Sequence, residues 1–315
     1  MATRVFLTVD TEFAWRHHAA GHDLDAIYRR SLEPAGVGLA FQLALLARHR
    51  LKATFFVDPM PALVFGIAPV ARMVDTILAA GQEVQLHLHP NWRGACAGDR
   101  GARHGRFQLH EYSFDEQCEL LRIAIDLLVA AGAPAPIAFR AGSFAANDDT
   151  LRALAALGLA YDSSHNAADA GRISLPPRRI APVAIAGVVE VPVTVIEDRP
   201  GSLRTFQLCA LSIAEAYEAL EHAAVSAHAA VVIVSHGFEL ANRAGTRANR
   251  VHVRRYEALC TALDELSDVL PTTHFAQRPI FGLVGHDLPL APDALRMRIR
   301  QAQQLWSNIV AERPI

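Results

Sequence analysis

The sequence predicts an α/β fold in which a parallel sheet, covered by helices, curls into an incomplete barrel. Three observations predict it. Apolar runs suited to buried strands alternate with stretches of helical periodicity over most of the 315 residues. About seven such runs can be counted, which favours an incomplete barrel over an open sheet while leaving both open at this point. A carboxylate, histidine, arginine or serine follows one run after another, where parallel α/β folds hold their ligands.

The elements follow in order. Val5 to Val9 is a short β-rich run that ends in Asp10. Gly36 to His49 is an Ala/Leu helix, and Ala53 to Val57 reads as the next buried strand. Val70 to Ala80 is a helix stopped by Gly81, and Glu83 to His89 is the strand after it. Ser113-Phe114-Asp115-Glu116 is a capping box, in which serine and glutamate satisfy each other's backbone N–H groups, and it opens a helix to about Ala131. Ile137 to Arg140, Leu159 to Asp162, Val188 to Val195 and Ala230 to Ser235 complete the strands, with helices over Asp149 to Leu157 and Ile213 to Ala227 between them. The Gly- and Arg-rich stretch from Arg93 to Arg106 has no periodicity and reads as a loop. The chain after Pro292 reads as one polar helix outside the core, so residues 1–280 are expected to form the catalytic body and 281–315 an extension.

Composition excludes several classes. With 51% hydrophobic residues and a net charge of −2, the chain can bury a large core and is not globally disordered. Near-neutral charge gives no general pull toward nucleic acid. Lys52 is the only lysine, so the positive charge is carried by arginine, whose fork suits carboxylates and phosphates. Cys96, Cys118, Cys209 and Cys260 are too scattered for a zinc finger or a CxxC motif and read as buried or free thiols. No apolar run reaches the roughly 18 residues of a membrane helix, and the first residues pass straight into a strand pattern. A cytoplasmic protein is expected.

The strand ends carry the chemistry. They read Asp10-Thr11-Glu12, His87-Leu88-His89-Pro90-Asn91-Trp92, Arg140-Ala141-Gly142-Ser143, Asp162-Ser163-Ser164-His165 and Ser235-His236-Gly237. Two carboxylates, histidines and an arginine would converge on one mouth, and carboxylate with imidazole is a ligand set for zinc or a similar divalent ion. His87 and His89 share a strand face at period two. A serine hydrolase is disfavoured, because no Gly-x-Ser-x-Gly elbow is present.

In order and spacing these segments resemble the polysaccharide deacetylase (NodB-homology) family, also known as carbohydrate esterase family 4. The similarity rests on Thr8-Val9-Asp10-Thr11-Glu12, Lys52-Ala53-Thr54-Phe55-Phe56, Glu83 to Pro90, Phe139-Arg140-Ala141-Gly142, Tyr161-Asp162-Ser163-Ser164 and Val234-Ser235-His236. It covers roughly residues 4 to 240 and implies a NodB-type barrel, one divalent ion and hydrolysis of an N-acetyl group on an amino sugar. Zinc is the expected ion, with manganese, cobalt or nickel as alternatives.

Carried over residue by residue, the resemblance makes Asp10 the catalytic base and Arg140 the residue that orients it. His236 protonates the leaving group, and Asp162 offers a carboxylate to hold His236. The family's second adjacent aspartate is replaced by Thr11, so Glu12 becomes the ligand, although the two acidic roles can be exchanged. The family spaces its two histidines four apart. That spacing from His87 reaches Asn91, so either His89 or Asn91 completes the site with His87. Imidazole is the better ligand and favours His89. Trp15, Trp92 and Ser143 are candidate substrate contacts, with packing under loops as the plain alternative for the two tryptophans.

The expected reaction is attack of water on the amide, with Asp10 accepting a proton and His236 giving one to the amine. The expected partner is an acetylated amino sugar or a glycan precursor, without nucleic acid or membrane insertion. Hydrolysis of a formamide, ureide or cyclic imide on the same barrel is one rival reading, and a non-catalytic carbohydrate-binding relative is another. Arg93, Arg100, Arg103 and Arg106 raise a further possibility, a lid that closes on an anionic substrate.

Overall fold

Ten strands form in the computed structural model, which describes residues 3–98, 106–169, 172–176, 178–283, 285 and 287–311. They are β1 (Arg4–Thr11), β2 (Ala53–Val57), β3 (Glu83–Leu88), β4 (Ala138–Ala141), β5 (Tyr161–Asp162), β6 (Val183–Ile185), β7 (Val188–Glu190), β8 (Val195–Arg199), β9 (Ser202–Thr205) and β10 (Ala230–His236). Eight of them make one open, curled sheet in the order β10-β1-β2-β3-β4-β5-β7-β6. Seven run parallel and β6 alone is antiparallel, so the predicted count of parallel strands holds. The free edge of β10 is met by irregular chain: Thr194 N–H donates to Val232 O at 3.2 Å and Leu208 N–H to Val234 O at 2.9 Å.

Strand parity divides the interior in two. Odd residues of β1 (Val5, Leu7, Val9) and Phe55, Val57, Leu86, Leu88, Phe139, Val231 and Ile233 join the large outer core under the helices. Phe6, Phe56, Ala138, Tyr161, Val191, Val232 and Val234 join a smaller cluster on the inner face, plugged by Phe275 from the far end of the chain. Phe6 and Phe275 lie 4.4 Å apart between ring centroids.

The helices Leu39–Arg48, Ala68–Ala79, Phe114–Ala130, Asp148–Ala156 and Ile213–Val225 lie where periodicity places them, and Ser113 and Glu116 form the expected capping box. Besides the short helices Trp15–Ala19 and Ala62–Phe65, two longer ones were not read from the sequence, Leu24–Leu32 and Arg250–Glu265. Each carries several arginines that mask its apolar stripe, yet each is capped by an Asx side chain, Asp23 and Asn249.

The single strand expected over Val188 to Val195 is two. Pro192 cannot donate to a ladder, so β7 stops at Glu190, and β8 leaves the sheet to pair with β9 as a separate ribbon. The helix Ala294–Ala311 forms as expected after Pro292, but it is tied to the body. Arg300 is buried between Asp198 and Glu215, donating to Glu215 Oε1 at 3.0 Å, and Ser307 Oγ accepts from Asn249 Nδ2 at 2.8 Å. Among the described residues no helix is long and apolar enough to cross a membrane.

Candidate metal and catalytic site

The inner face is a column of polar residues built on the aromatic plug. On β1, Phe6 is followed at the same parity by Thr8, Asp10 and Glu12. On β3 the inner residues are Glu83, Gln85, His87 and then His89 just past the strand, and on β4 they are Ala138, Arg140 and Gly142. The lowest polar layer is satisfied internally: Glu83 Oε2 accepts from Thr54 Oγ1 at 2.5 Å and from Phe275 N at 2.9 Å. The chemistry sits above it, at the carboxyl ends of the strands.

Glu12, His87 and His89 offer one ligand atom each, all within 4.8 Å of one another. His89 Nε2 lies 2.5 Å and His87 Nε2 3.8 Å from Glu12 Oε2. His87 Nδ1 donates to the Arg140 carbonyl at 2.8 Å, which fixes the tautomer and turns the Nε2 lone pair toward Glu12. Burial holds His87 down to about 4, so the ring is neutral. Burial also works against charge on His89, but Glu12 outweighs it and lifts this histidine to about 9; Glu12, despite its own burial, is held at about 2 mainly by His89. Two imidazole nitrogens and a carboxylate oxygen fit a divalent ion such as zinc, with room for further ligands. Asn91 is buried beside them with an Oδ1 that has no hydrogen-bond partner among the described residues.

Gly142 explains why this strand end carries glycine. A Cβ there would stand 2.4 Å from His89 Cε1 and Nδ1, so the imidazole occupies the space any side chain would need.

Arg140 is fully buried and holds Asp10. Its Nη1 donates to Asp10 Oδ1 at 2.8 Å and to Thr8 Oγ1 at 2.7 Å, Nε donates to Ser163 O at 3.0 Å, and its guanidinium lies 4.5 Å from the Phe56 centroid. Burial alone would raise Asp10, but Arg140, with His87 and His236, carries it below the ordinary carboxylate value. Asp10 Oδ2 is 3.7 Å from His236 Nε2.

The carboxylate behind His236 is Glu239. Its Oε1 lies 2.8 Å from His236 Nδ1 and also accepts from Gln207 Nε2. Burial opposes the charged imidazole, but Glu239 and then Asp10 lift His236 to about 9. This corrects the expected partner, Asp162. Tyr161 and Ser163 face inward, so Asp162 between them faces out, where its Oδ1 accepts from Ser164 Oγ at 2.7 Å and it pairs with Glu190. Burial raises both of these acids, and Asp162 raises Glu190 further. The parity of Asp162 was legible in the sequence; Glu239 lies on a turn that no strand pattern reaches.

A cleft of about 660 Å³ opens over Glu12 and His89. Trp15, Trp92, Asn91 and Ser143 border it. Trp15 is half-buried and meets Phe107 edge-on at 5.6 Å, whereas Trp92 is 1% exposed and packed among Phe13, Trp15, His18 and Phe65. Trp92 is therefore a wall under the cleft rather than an open stacking face. Ser143 is exposed at the rim in a left-handed conformation, φ 55°. Of the arginine-rich stretch, Arg93 pairs with Glu119 at 2.9 Å and Arg106 with Glu116 at 2.5 Å, both on the helix Phe114–Ala130; Arg100 and Arg103 lie outside the described residues.

No protein-family model matches the chain, and no curated protein matches it. Solved structures do. A Mycobacterium smegmatis protein assigned as a polysaccharide deacetylase superposes with a TM-score of 0.51 at 19% identity, over 100% of this chain and 93% of its own. A family 4 carbohydrate esterase from Streptomyces lividans, solved with acetate, gives 0.43 at 15% identity over 92% and 98%. The 4-α-glucanotransferase of Thermococcus litoralis gives 0.52 at 7% identity over 88% and 40%. Pseudoenzymes of family 4 are among the matches as well. The shared property is the fold, a curled and mostly parallel α/β sheet that carries more than one activity.

Proposed function

We propose that this chain is a metal-dependent hydrolase that removes the acetyl group from an N-acetylated amino sugar or a glycan precursor containing one. One observation carries the reading: Asp10 and Glu12, two residues apart, serve different partners. Asp10 is braced by Arg140 and faces His236, while Glu12 faces His87 and His89. A structural ion-pair network has no need of a separate base, acid and ligand set within one cleft.

Glu12, His87 and His89 would hold the ion, with Asn91 as the alternative to His89. A divalent ion held there would supply Lewis-acid chemistry, polarising the amide carbonyl and making water a stronger nucleophile near neutral pH. Asp10, ionised through Arg140, accepts the proton of the attacking water on Oδ2, the oxygen that Arg140 leaves open. His236 carries its proton on Nε2 at neutral pH and donates it to the departing amine nitrogen, without which the C–N bond does not break. Glu239 keeps Nδ1–H pointed away from the cleft and stabilises the imidazolium between proton transfers. The described residues 281–283, 285 and 287–311 read as an extension clamped on this body by Arg300.

The test joins metal content to turnover. The purified protein should hold one divalent ion per chain and release acetate from acetamido sugars. Turnover of formamides, ureides or imides instead would redirect the reading to another amide, and a loaded protein inert to the whole panel would favour a binding relative.

A further inference from the structure

One buried acid beside the metal ligands has no assigned role. Asp58 follows β2 directly, and its N–H extends the ladder by donating to Thr11 O at 3.0 Å. Val57 is paired with Thr11 on one side and with Leu86 on the other, so the next residue, Asp58, stands between Glu12 and His87. Parity agrees: Phe56 belongs to the inner cluster, so Asp58, two residues on, faces inward as Glu12 and His87 do. Neighbouring strands lie about 4.8 Å apart, and Glu12, Asp58 and His87 therefore form one continuous row across three strand ends.

Only half of this carboxylate is used. Asp58 is fully buried; its Oδ1 accepts from Met60 N at 3.0 Å, closing the turn after the strand, while Oδ2 has no hydrogen-bond partner among the described residues. The groups that bear most on its charge are His89 and Glu12, both members of the ligand set. The neighbouring acids are matched: Asp10 has Arg140 at 2.8 Å, and the two oxygens of Glu83 accept from Ala276 N and Phe275 N. A carboxylate with an idle oxygen is costly in a protein interior unless a cation meets it. A divalent ion at Glu12, His87 and His89 would meet a single negative charge from its ligands, because histidine ligates as the neutral ring. Arg140 already claims Asp10, so the second negative charge has to come from another acid, and Asp58 stands in that place. It lies outside the set whose ligand atoms fall within 4.8 Å of one another, which makes it an outer carboxylate rather than a fourth direct ligand.

We infer that Asp58 is a functional member of the metal site, an outer carboxylate that balances the second charge of a divalent ion held by Glu12, His87 and His89. The inference rests on the ligand set proposed above and extends it to a strand end that no motif marks. A carboxylate so placed tightens the hold on a divalent ion without occupying a coordination position, which stays open to water and substrate.

Titration of the metal-free protein with zinc, against a competing chelator, tests this without requiring turnover. Asp58→Asn keeps an acceptor for Met60 N and removes the charge; it should bind zinc about tenfold to a hundredfold more weakly than the native protein. The metal-free variant should melt no lower than the native apoprotein, because the substitution takes a charge out of the interior and keeps its hydrogen bond. A residue that only closed the turn would lower the melting temperature and leave zinc affinity alone. Asp58→Ser, whose hydroxyl also caps such a turn, should show the same loss of affinity and serves if the asparagine variant does not fold. Zinc affinity changed by less than about threefold, whatever the melting temperature, overturns the inference and leaves the deacetylase reading intact. Failure of the native protein to take up zinc overturns it together with the ligand assignment. Weakened zinc binding in the variants, with no acetate released by the native protein from any acetamido sugar, upholds the role of Asp58 and fails the deacetylase reading.

Discussion

Replacing Glu239 by glutamine removes a charge and keeps a hydrogen-bond acceptor 2.8 Å from His236 Nδ1. In the native protein His236 stands at about 9 instead of 6.5, a displacement worth roughly 3 kcal/mol in favour of the imidazolium. Burial pulls the other way, and Glu239 is the largest of the groups that overcome it. In Glu239→Gln only Asp10, at 3.7 Å, and the more distant Glu12 still favour the charged ring, so its pKa should fall to the ordinary value or below. At pH 8 the protonated fraction then drops from about nine-tenths to a few per cent, a loss of about 30-fold in a step that needs the proton. The basic limb of kcat against pH, together with a proton NMR titration of the His236 ring, reads this directly. Stability carries the same sign. The native contribution is complete below pH 6.5 and is lost as pH rises through about 9, so the variant's deficit should shrink over that window. A kcat that falls equally at every pH, with the basic limb in place, would refute the electrostatic role and leave Glu239 as packing.

Four further outcomes follow from the same geometry. Asp10→Asn should keep its ion and lose about 100-fold to 10,000-fold in turnover, while Glu12→Gln should lose the ion, as read by metal analysis; the opposite pattern exchanges the two roles. His87→Ala/His89→Ala should hold no stoichiometric metal, and full occupancy would sink the ligand assignment. Gly142→Ala forces the His89 ring to move and should weaken the ion by about tenfold or more in a metal titration; unchanged affinity would hand the third ligand to Asn91. Arg300→Ala leaves Asp198 and Glu215 without their buried cation and should cost about 3 kcal/mol in chemical denaturation, whereas a loss near zero would mean that the C-terminal helix is only loosely seated.

Residues fixed by strand parity were legible from the sequence, and residues fixed by turns were not. Asp10, His87, Arg140 and His236 end apolar strands, so alternation alone sends them inward, and the structure brings them together. Asp162 carried its own warning, since the inward Ser163 beside it reverses its direction. Glu239 lies three residues past His236 on a short helical turn, where direction depends on local backbone angles rather than period. Asp58 escaped notice for a related reason. It follows the end of β2 at inner parity, fully buried and close enough to His89 and Glu12 to feel both, but no motif singles out its position. Burial lifts it to about 7, and its Oδ2 has no partner among the described residues. The split between β7 and β8 was written in Pro192, but the apolar run hid it.

Parity also bears on the altered first motif. Thr11 is still paired in the sheet, opposite Val57 of β2, and its side chain takes the outer side with Oγ1 donating to Val9 O at 3.2 Å. A carboxylate at position 11, on a strand that stays paired to that point, would point into the outer core and away from His87 and His89. Asp10 has the right parity, but its Oδ1 is drawn to Arg140, a buried cation whose neutral partners, Thr8 and Ser163, cannot balance its charge. Removing Asp10 from that pairing to bind an ion would leave a guanidinium uncompensated in the interior, a cost of several kcal/mol. Glu12 is the next residue of inner parity, just past the end of the strand, and its extra methylene carries the carboxylate to within 2.5 Å of His89. The sheet pairing of Thr11 and the charge of Arg140 together favour Asp10 as the base and Glu12 as the ligand in the proposed reaction.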